Sequence, residues 1–291
     1  DEARLDNPRL ALQGLTGLVV IDEVQRKPDL FKILRVLTDS KKDSTRYLIL
    51  GSASKDLIQQ SSESLAGRIQ YLELTPFQLR EVGHEQLENL WLRGGFPPAF
   101  LANSNDHGET WRDAYIRTYL EQDIPNLGLK IESAQLRRFW MMLTHYHGQM
   151  FNASEISRSL NISDVTAKRY LDILCGTFMV RQLQPWYENI KKRQVKTPKI
   201  YFRDSGIYHR LLLMGADKMI HTHPKLGASW EGFALEETIR VLDVATENIY
   251  FWAIHQQCEL DLFVVKDGRR LGFEFKYSDA PKKTKSMQQA V

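Results

Sequence analysis

The chain has 291 residues, 43% hydrophobic and 26% charged, ordinary fractions for a soluble globular protein and enough length for two or three domains rather than one core. Its 39 Lys and Arg against 36 Asp and Glu leave a formal charge of +3, so only local clustering of cations argues for an acidic partner. Cys175 and Cys258 have no metal-ligand spacing and form no disulfide framework, which fits a reducing cytoplasm, and no apolar run reaches membrane-spanning length.

The first expected element is a strand over residues 18–21, within LVVIDEVQ. Four consecutive apolar residues, three of them β-branched, predict a strand buried on both faces of a parallel sheet. Asp22 and Glu23 follow at its carboxyl end, the edge where ligands bind in open α/β sheets. An acidic pair there can hold Mg2+ and orient a water for attack on a phosphoryl group. A buried strand stopping at a solvated acidic turn accounts for the same letters. Residues 28–38 predict a helix with Leu30, Phe31, Leu34 and Leu37 on one face, and residues 47–50 a second strand. That strand runs into Gly51, Ser52, Ala53 and Ser54, where a polar side chain can sense a phosphate or simply serve a Gly-Ser turn. The chain opens on Asp1 and reaches a buried strand within twenty residues, so the natural N-terminus is expected upstream. No G-x-x-x-x-G-K-[ST] loop, the run that cradles phosphates, occurs in the 291 residues.

Residues 55–60 predict a helix start, 61–64 a polar loop and 69–74 a third strand, closed by Thr75-Pro76. Arg68 stands where helix hands over to strand. A guanidinium there can stabilise charge on a transferring phosphoryl group, in cis or toward a neighbouring subunit, or form a surface ion pair. Gly94 to Pro98 punctuate helices, and residues 103–108 read as a linker. A helix over 110–123 carries Trp111, Tyr115, Thr118 and Tyr119 at the spacing of a core-facing stripe, which favours packing over base stacking.

A helix is predicted over 132–147, then a short one over 154–160, a turn at Asn161-Ile162, and a second helix over 163–174 capped by Ser163. Val165, Leu171 and Leu174 are expected inward, Thr166, Lys168 and Arg169 outward. Strands at 178–183 and 199–202 follow, joined by a basic hairpin with Lys191, Lys192, Arg193 and Lys196. This is the layout of a winged helix, whose second helix can enter a major groove while the wing neutralises phosphates. The alternative is a winged-helix connector with a solvated charge run at its tip, since two outward cations are few for groove readout. Finally, a helix over 227–241 carries Glu231, Glu236 and Glu237, and strands are predicted at 249–254, 260–266 and 271–276. Asp261 lies on the second strand and Glu274-Phe275-Lys276 on the third. Residues two apart share a strand face, so these side chains can converge. Two carboxylates can bind magnesium and lower the pKa of a water, with the lysine stabilising developing charge. A structural, salt-bridged hairpin is the alternative.

Taken in order, LVVIDEVQ, LILGSAS, SLAGRIQYLELTPF, GGFP, TYLEQDI, KTPKIYFRDSGI and ELDLFVV…GFEFKYSD resemble bacterial and archaeal AAA-type ATP-binding proteins that end in domain-of-unknown-function family 4143. The similarity covers nearly the full chain. It implies an α/β fold class: a partial P-loop NTPase (AAA-like) parallel sheet over 1–83 without its Walker A loop, and a helical connector over 84–130. A winged helix-turn-helix would follow over 131–215, then a restriction-endonuclease-like, PD-(D/E)xK-like domain over 216–291, incomplete at its C-terminus. By the same resemblance Asp22 and Glu23 are the Walker B acids, Asp22 holding Mg2+ and Glu23 activating water. Ser52 falls in the sensor segment, and Arg68 is a candidate arginine finger. Glu231, Asp261, Glu274 and Lys276 match the nuclease-like positions, with Asp261 and Glu274 as metal ligands. Mg2+ and ATP are expected in the intact protein only, the fragment alone being inactive. The expected function is an ATP-hydrolysing, DNA-associated protein with ATP, DNA and further copies of itself as partners, and no membrane. The alternatives are a magnesium-dependent nuclease regulated by the ATPase part, and a non-catalytic winged-helix or toxin-antitoxin-like DNA-binding regulator.

Overall fold

The computed structural model describes residues 6–40, 45–51, 61, 63–129, 131–187, 197–212, 221–254, 258–278, 280 and 282–289. The chain divides into two compact units, Asp1–Leu74 and Thr75–Val291. Among the described residues no helix is long and apolar enough to cross a membrane.

In the first unit α1 (Pro8–Gln13) leads to β1 (Gly17–Ile21), then through a 3-10 turn at Val24–Arg26 to α2 (Leu30–Ser40) and β2 (Thr45–Ile49). Asn7 caps α1 with its side chain, and Pro8 supplies the preset φ of a first helical turn. β1 and β2 pair in parallel from Gly17↔Thr45 to Ile21↔Ile49. Leu30, Phe31, Leu34 and Leu37 of α2 are buried with Leu12, Ile21, Val24 and Leu65, the helix face expected from spacing. Burial of β1 on both faces is not observed: Leu18 and Val20 are 65% and 54% exposed. Side chains alternate along a strand, so Val19 and Ile21 turn to the core while Leu18 and Val20 turn away from it. The strand expected at 69–74 does not form either. Ile69 packs on the core, but Leu72 and Leu74 are exposed, because a strand needs a ladder partner and this unit's described sheet has only β1 and β2. The helix start expected at 55–60 lies outside the described residues.

The second unit begins with α3 (Leu79–Val82), α4 (Leu87–Arg93), α5 (Pro97–Phe100) and α6 (Asn105–Thr118). The expected linker at 103–108 is therefore largely the first turn of α6, where Ser104 Oγ accepts from His107 N at 3.3 Å. A π-helical turn, Tyr119–Asp123, continues α6 into α7 (Ile124–Asn126). The aromatics of the stripe pack as expected, with Trp111 and Tyr115 stacked at 5.1 Å and Phe96 meeting Tyr115 at 4.8 Å, whereas Thr118, expected on the same core-facing side, is exposed. Next come α8 (Ser133–Leu143), β3 (Gln149–Met150), α9 (Ala153–Leu160), α10 (Asp164–Gly176), β4 (Val180–Pro185), β5 (Lys199–Phe202) and α11 (Ser205–Leu211). The chain closes with α12 (Leu226–Leu242), β6 (Ile249–Ile254), β7 (Cys258–Lys266), β8 (Arg269–Phe273) and α13 (Lys285–Gln289).

One six-stranded sheet, in the order β3-β5-β4-β6-β7-β8, organises this unit. It is antiparallel except at β4 and β6, which pair in parallel through Gln184↔Tyr250 and Pro185↔Phe251. The sheet thus runs through residues on both sides of 215–216. α12 packs Leu235 and Ile239 on Leu183, Tyr201, Phe251 and Leu262. Between the pairs Tyr250↔Phe263 and Trp252↔Leu260, β7 spends one residue more than β6. This bulge sets Asp261 and Leu262 together opposite Phe251, turning Asp261 to the face that α12 covers instead of the face its alternation with Leu262 would assign.

Candidate functional site

β1 delivers Asp22 and Glu23 beside the end of β2, where Leu50 N donates to Ile21 O at 2.8 Å and Val24 N to Leu50 O at 3.2 Å. Glu23 takes the left-handed conformation, φ +55, a backbone state that costs a residue with a Cβ about 1–3 kcal/mol and clusters at functional sites. Asp22 Oδ1 accepts from Glu23 N at 2.9 Å, and Glu23 Oε2 accepts from Gln25 Nε2 at 2.5 Å. Both acids are exposed, and among the described residues neither forms an ion pair. Two exposed carboxylates outside any such ion pair form an all-oxygen donor set suited to a hard divalent cation. Ser52 lies outside the described residues. Arg68 forks Asp39 near the C-terminus of α2, with Nε–Oδ1 2.6 Å and Nη2–Oδ2 3.2 Å, while its Nη1 donates to Ala66 O.

In the second unit α9 and α10 flank Asn161, which is left-handed at φ +54, a state asparagine tolerates. Ser163 Oγ accepts from Thr166 N at 3.0 Å, and Asp164 accepts from Ser154 Oγ and Ser157 Oγ, pinning the second helix to the first. Ala167, Tyr170, Leu171 and Leu174 are buried, and Lys168 and Arg169 are exposed. Val165, expected inward, is 76% exposed. At about 100° per residue it stands roughly opposite Ala167 and Leu174 and beside Lys168 and Arg169. A cleft of about 910 Å³ adjoins this helix, and Glu155 and Asp172 share its lining with Lys168, so the helix surface carries both signs. Lys191, Lys192, Arg193 and Lys196 lie outside the described residues.

Near the C-terminus α12 supplies Glu231, β7 supplies Asp261, and the segment after β8 supplies Glu274 and Lys276. The last strand ends at Phe273, not at residue 276, and the tail beyond it is held because Phe275 N donates to Asp261 Oδ2 at 2.8 Å. Glu274 Oε1 pairs with Lys276 Nζ at 3.2 Å and its other oxygen accepts from Thr284 Oγ1. Two residues that sequence reasoning left out join them from β5. Tyr201 Oη donates to Glu231 Oε1 at 2.7 Å, and Lys199 Nζ lies 3.9 Å from that oxygen and against Glu259. The signal was there in KTPKIYF, where Lys199 and Tyr201 stand two apart on one strand face. Burial, and then the charge of Asp261, pushes the Glu231 carboxyl up to about 7, against the pull of Lys199 and Tyr201. Burial also raises Asp261, opposed by the Phe275 amide and the two lysines. Burial lowers Lys276, but Glu274, Asp261 and Glu231 outweigh it and leave the ammonium above its ordinary value.

Among the described residues no group of three or more His, Cys, Asp or Glu is placed to hold a metal ion. The acids of this cluster are answered by lysines, a tyrosine hydroxyl and a backbone amide, so the arrangement as folded does not fit the divalent ion expected on Asp261 and Glu274.

Residues 2–83 match the model of the AAA domain, residues 84–218 that of a domain of unknown function (DUF8612), and residues 226–291 that of a domain of unknown function (DUF4143). Uncharacterised proteins of Mycobacterium bovis and Mycobacterium tuberculosis are each 51% identical over 291 residues. The match takes in 100% of this chain, which spans 66% of the length of those relatives. No solved structure matches the chain.

Proposed function

Since this chain is an AAA-type protein, with the AAA domain over residues 2–83, we propose that the intact protein binds and hydrolyses ATP and works in association with DNA. The observation that carries the reading is the exposed Asp22–Glu23 pair at the carboxyl end of a parallel strand, in no ion pair among the described residues. Asp22 would hold Mg2+, which when bound neutralises charge on the terminal phosphates. Glu23, its carboxylate steadied by Gln25, would orient the attacking water and take its proton. Ser52 would contact the nucleotide from the segment after β2. Arg68 would exchange Asp39 for a phosphate, in cis or on a neighbouring copy. Association with DNA is read from α9 and α10, taken as part of a winged helix with Val165, Lys168 and Arg169 on the outer face of α10, and from the run of cations Lys191, Lys192, Arg193 and Lys196 in the sequence between β4 and β5.

The test needs protein that also carries a phosphate-cradling loop, since residues 1–291 contain none. There, Glu23→Gln is expected to lower ATP turnover about 100-fold while nucleotide affinity stays within a few fold, because the amide keeps the shape but cannot take a proton. Unchanged turnover would discard the role given to this acid.

A second reading is favoured by the convergence of Glu231, Asp261, Glu274 and Lys276, the residue set of a PD-(D/E)xK nuclease-like site, and it requires the contacts of these acids with Lys199, Lys276 and the Phe275 amide to open before a divalent ion is held. Plasmid DNA incubated with the protein and Mg2+ or Mn2+ is expected to be cut by the wild type and left intact by Asp261→Ala. Equal cutting by both sinks this reading.

A further inference from the structure

Glu23 is followed by the 3-10 turn at Val24–Arg26, and that turn is fixed at three points. Val24 is 3% exposed in the core beside α2, its N–H donates to Leu50 O at 3.2 Å, and Arg26 N donates to Glu23 O at 3.0 Å. With Glu23 left-handed at φ +55, the Gln25 amide meets its carboxylate, Nε2 donating to Oε2 at 2.5 Å. A carboxylate only accepts, so the amide nitrogen must face it and the amide oxygen must point elsewhere. That oxygen, Gln25 Oε1, is enclosed and meets no hydrogen-bond donor among the described residues.

A buried acceptor without a donor lowers stability, and an apolar side chain of the same shape escapes that loss. The amide therefore opposes stability at its oxygen end, while its nitrogen end goes to Glu23. A strained backbone and an unmet polar atom two residues apart are the pattern of a site whose residues serve activity before stability. We propose that Gln25 is the positioning residue of Glu23: by engaging Oε2 it fixes the carboxylate so that Oε1 is the oxygen turned to the attacking water. In hydrolysis one proton passes from that water to Glu23 Oε1, and the water oxygen replaces the bridging oxygen of the departing nucleoside diphosphate on the terminal phosphorus. The inference rests on the ATPase reading of Glu23 and adds which oxygen works and what holds it.

The experiment pairs thermal unfolding of the 291-residue chain with ATP turnover of protein that also carries the phosphate-cradling loop. Gln25→Met keeps the length of the side chain and removes its polar atoms. It is expected to unfold at or above the temperature of wild type, because the enclosed acceptor is gone. In the longer protein it should lower kcat about 10-fold with KM within about 2-fold, the result for a group that aims the base without binding the nucleotide. Gln25→Glu, which sets a like charge against Glu23, should lower kcat at least as far. Added to Glu23→Gln, Gln25→Met should bring no further loss, because both act through one carboxylate. A fall in kcat of less than about 3-fold, or losses from the two substitutions that multiply, overturns the proposal and leaves Glu23 in its role. Unfolding of Gln25→Met below wild type overturns it as well, since Gln25 would then be a structural residue. Unchanged turnover in Glu23→Gln removes the ATPase reading and this inference with it.

Discussion

Glu236→Gln is expected to destabilise the Thr75–Val291 unit by about 3–5 kcal/mol, the loss seen when one member of a buried ion pair is removed. Glu236 lies on α12 and takes Arg181 of β4 in a fork, 2.5 Å from Nε and 3.0 Å from Nη2. Arg203, just beyond β5, adds a third contact at 3.5 Å. The side chains of Glu236, Arg181 and Arg203 are only 3%, 8% and 11% exposed, so the amide would take away the buried anion that both enclosed guanidiniums meet. Burial raises the Glu236 carboxyl, but Arg181 and Arg203 outweigh it and hold the group at about 2. A carboxylate depressed in this way stabilises the fold above its ordinary pKa near 4.5 and loses that contribution as pH falls toward 2. Urea unfolding at pH 7 should therefore show the full deficit of the variant, and at pH 2 the two proteins should approach each other. A difference below about 1 kcal/mol at pH 7 would mean that the network is no such tie. The expected loss bears on the acid cluster as well, because Glu236 anchors to the sheet the same helix that presents Glu231.

Gly206→Ala should cost about 3 kcal/mol or more, or leave no folded protein, since overpacking against atoms that cannot move exceeds the usual range for core insertions. A Cβ on Gly206 would stand 2.0 Å from Arg93 O, 2.5 Å from Arg93 C and 2.8 Å from Gly94 N. Those backbone atoms are tied down: Arg93 O accepts from Arg112 Nη1, Gly94 N donates to Leu90 O, and Gly95 N donates to Asp204 Oδ2. Asp204 also caps α11 by accepting from Ile207 N at 2.8 Å. Gly94 itself is left-handed at φ +79, and a Cβ there would fall 2.3 Å from Asp204 Oδ1. The GGFP and DSGI segments therefore meet as one packing joint between α4 and α11. Gly227→Ala is the control, because nothing lies within 4 Å of its Cβ position and alanine is the better helix residue by about 0.5–1 kcal/mol. Thermal unfolding of the two variants should shift in opposite directions. Equal, small shifts would show that the joint yields.

Local spacing made several elements readable. The face of α2, the Asn161 turn with Ser163 capping α10, and the hairpin order of β7 and β8 all depend on residues within a turn or a ladder of one another. The misread elements depend on distant partners. Residues 69–74 have strand composition but no neighbouring ladder, Leu18 and Val20 are apolar without a layer over them, and Val165 looked like core until the buried arc of α10 was placed against its neighbours.

By itself, the sequence determined the likeness of residues 2–83 to an AAA domain, the acid pair ending the first strand, and the identity of the four residues that gather around the last strands. Only the tertiary structure decided that Asp261 faces α12, that Lys199 and Tyr201 enter the cluster from β5, and that its acids meet lysines and a tyrosine hydroxyl. The physical reason is that side-chain periodicity is written in neighbouring residues, whereas a bulge, a parallel crossover from β4 to β6 and the neutralisation of a buried charge are settled by contacts between segments far apart in the chain.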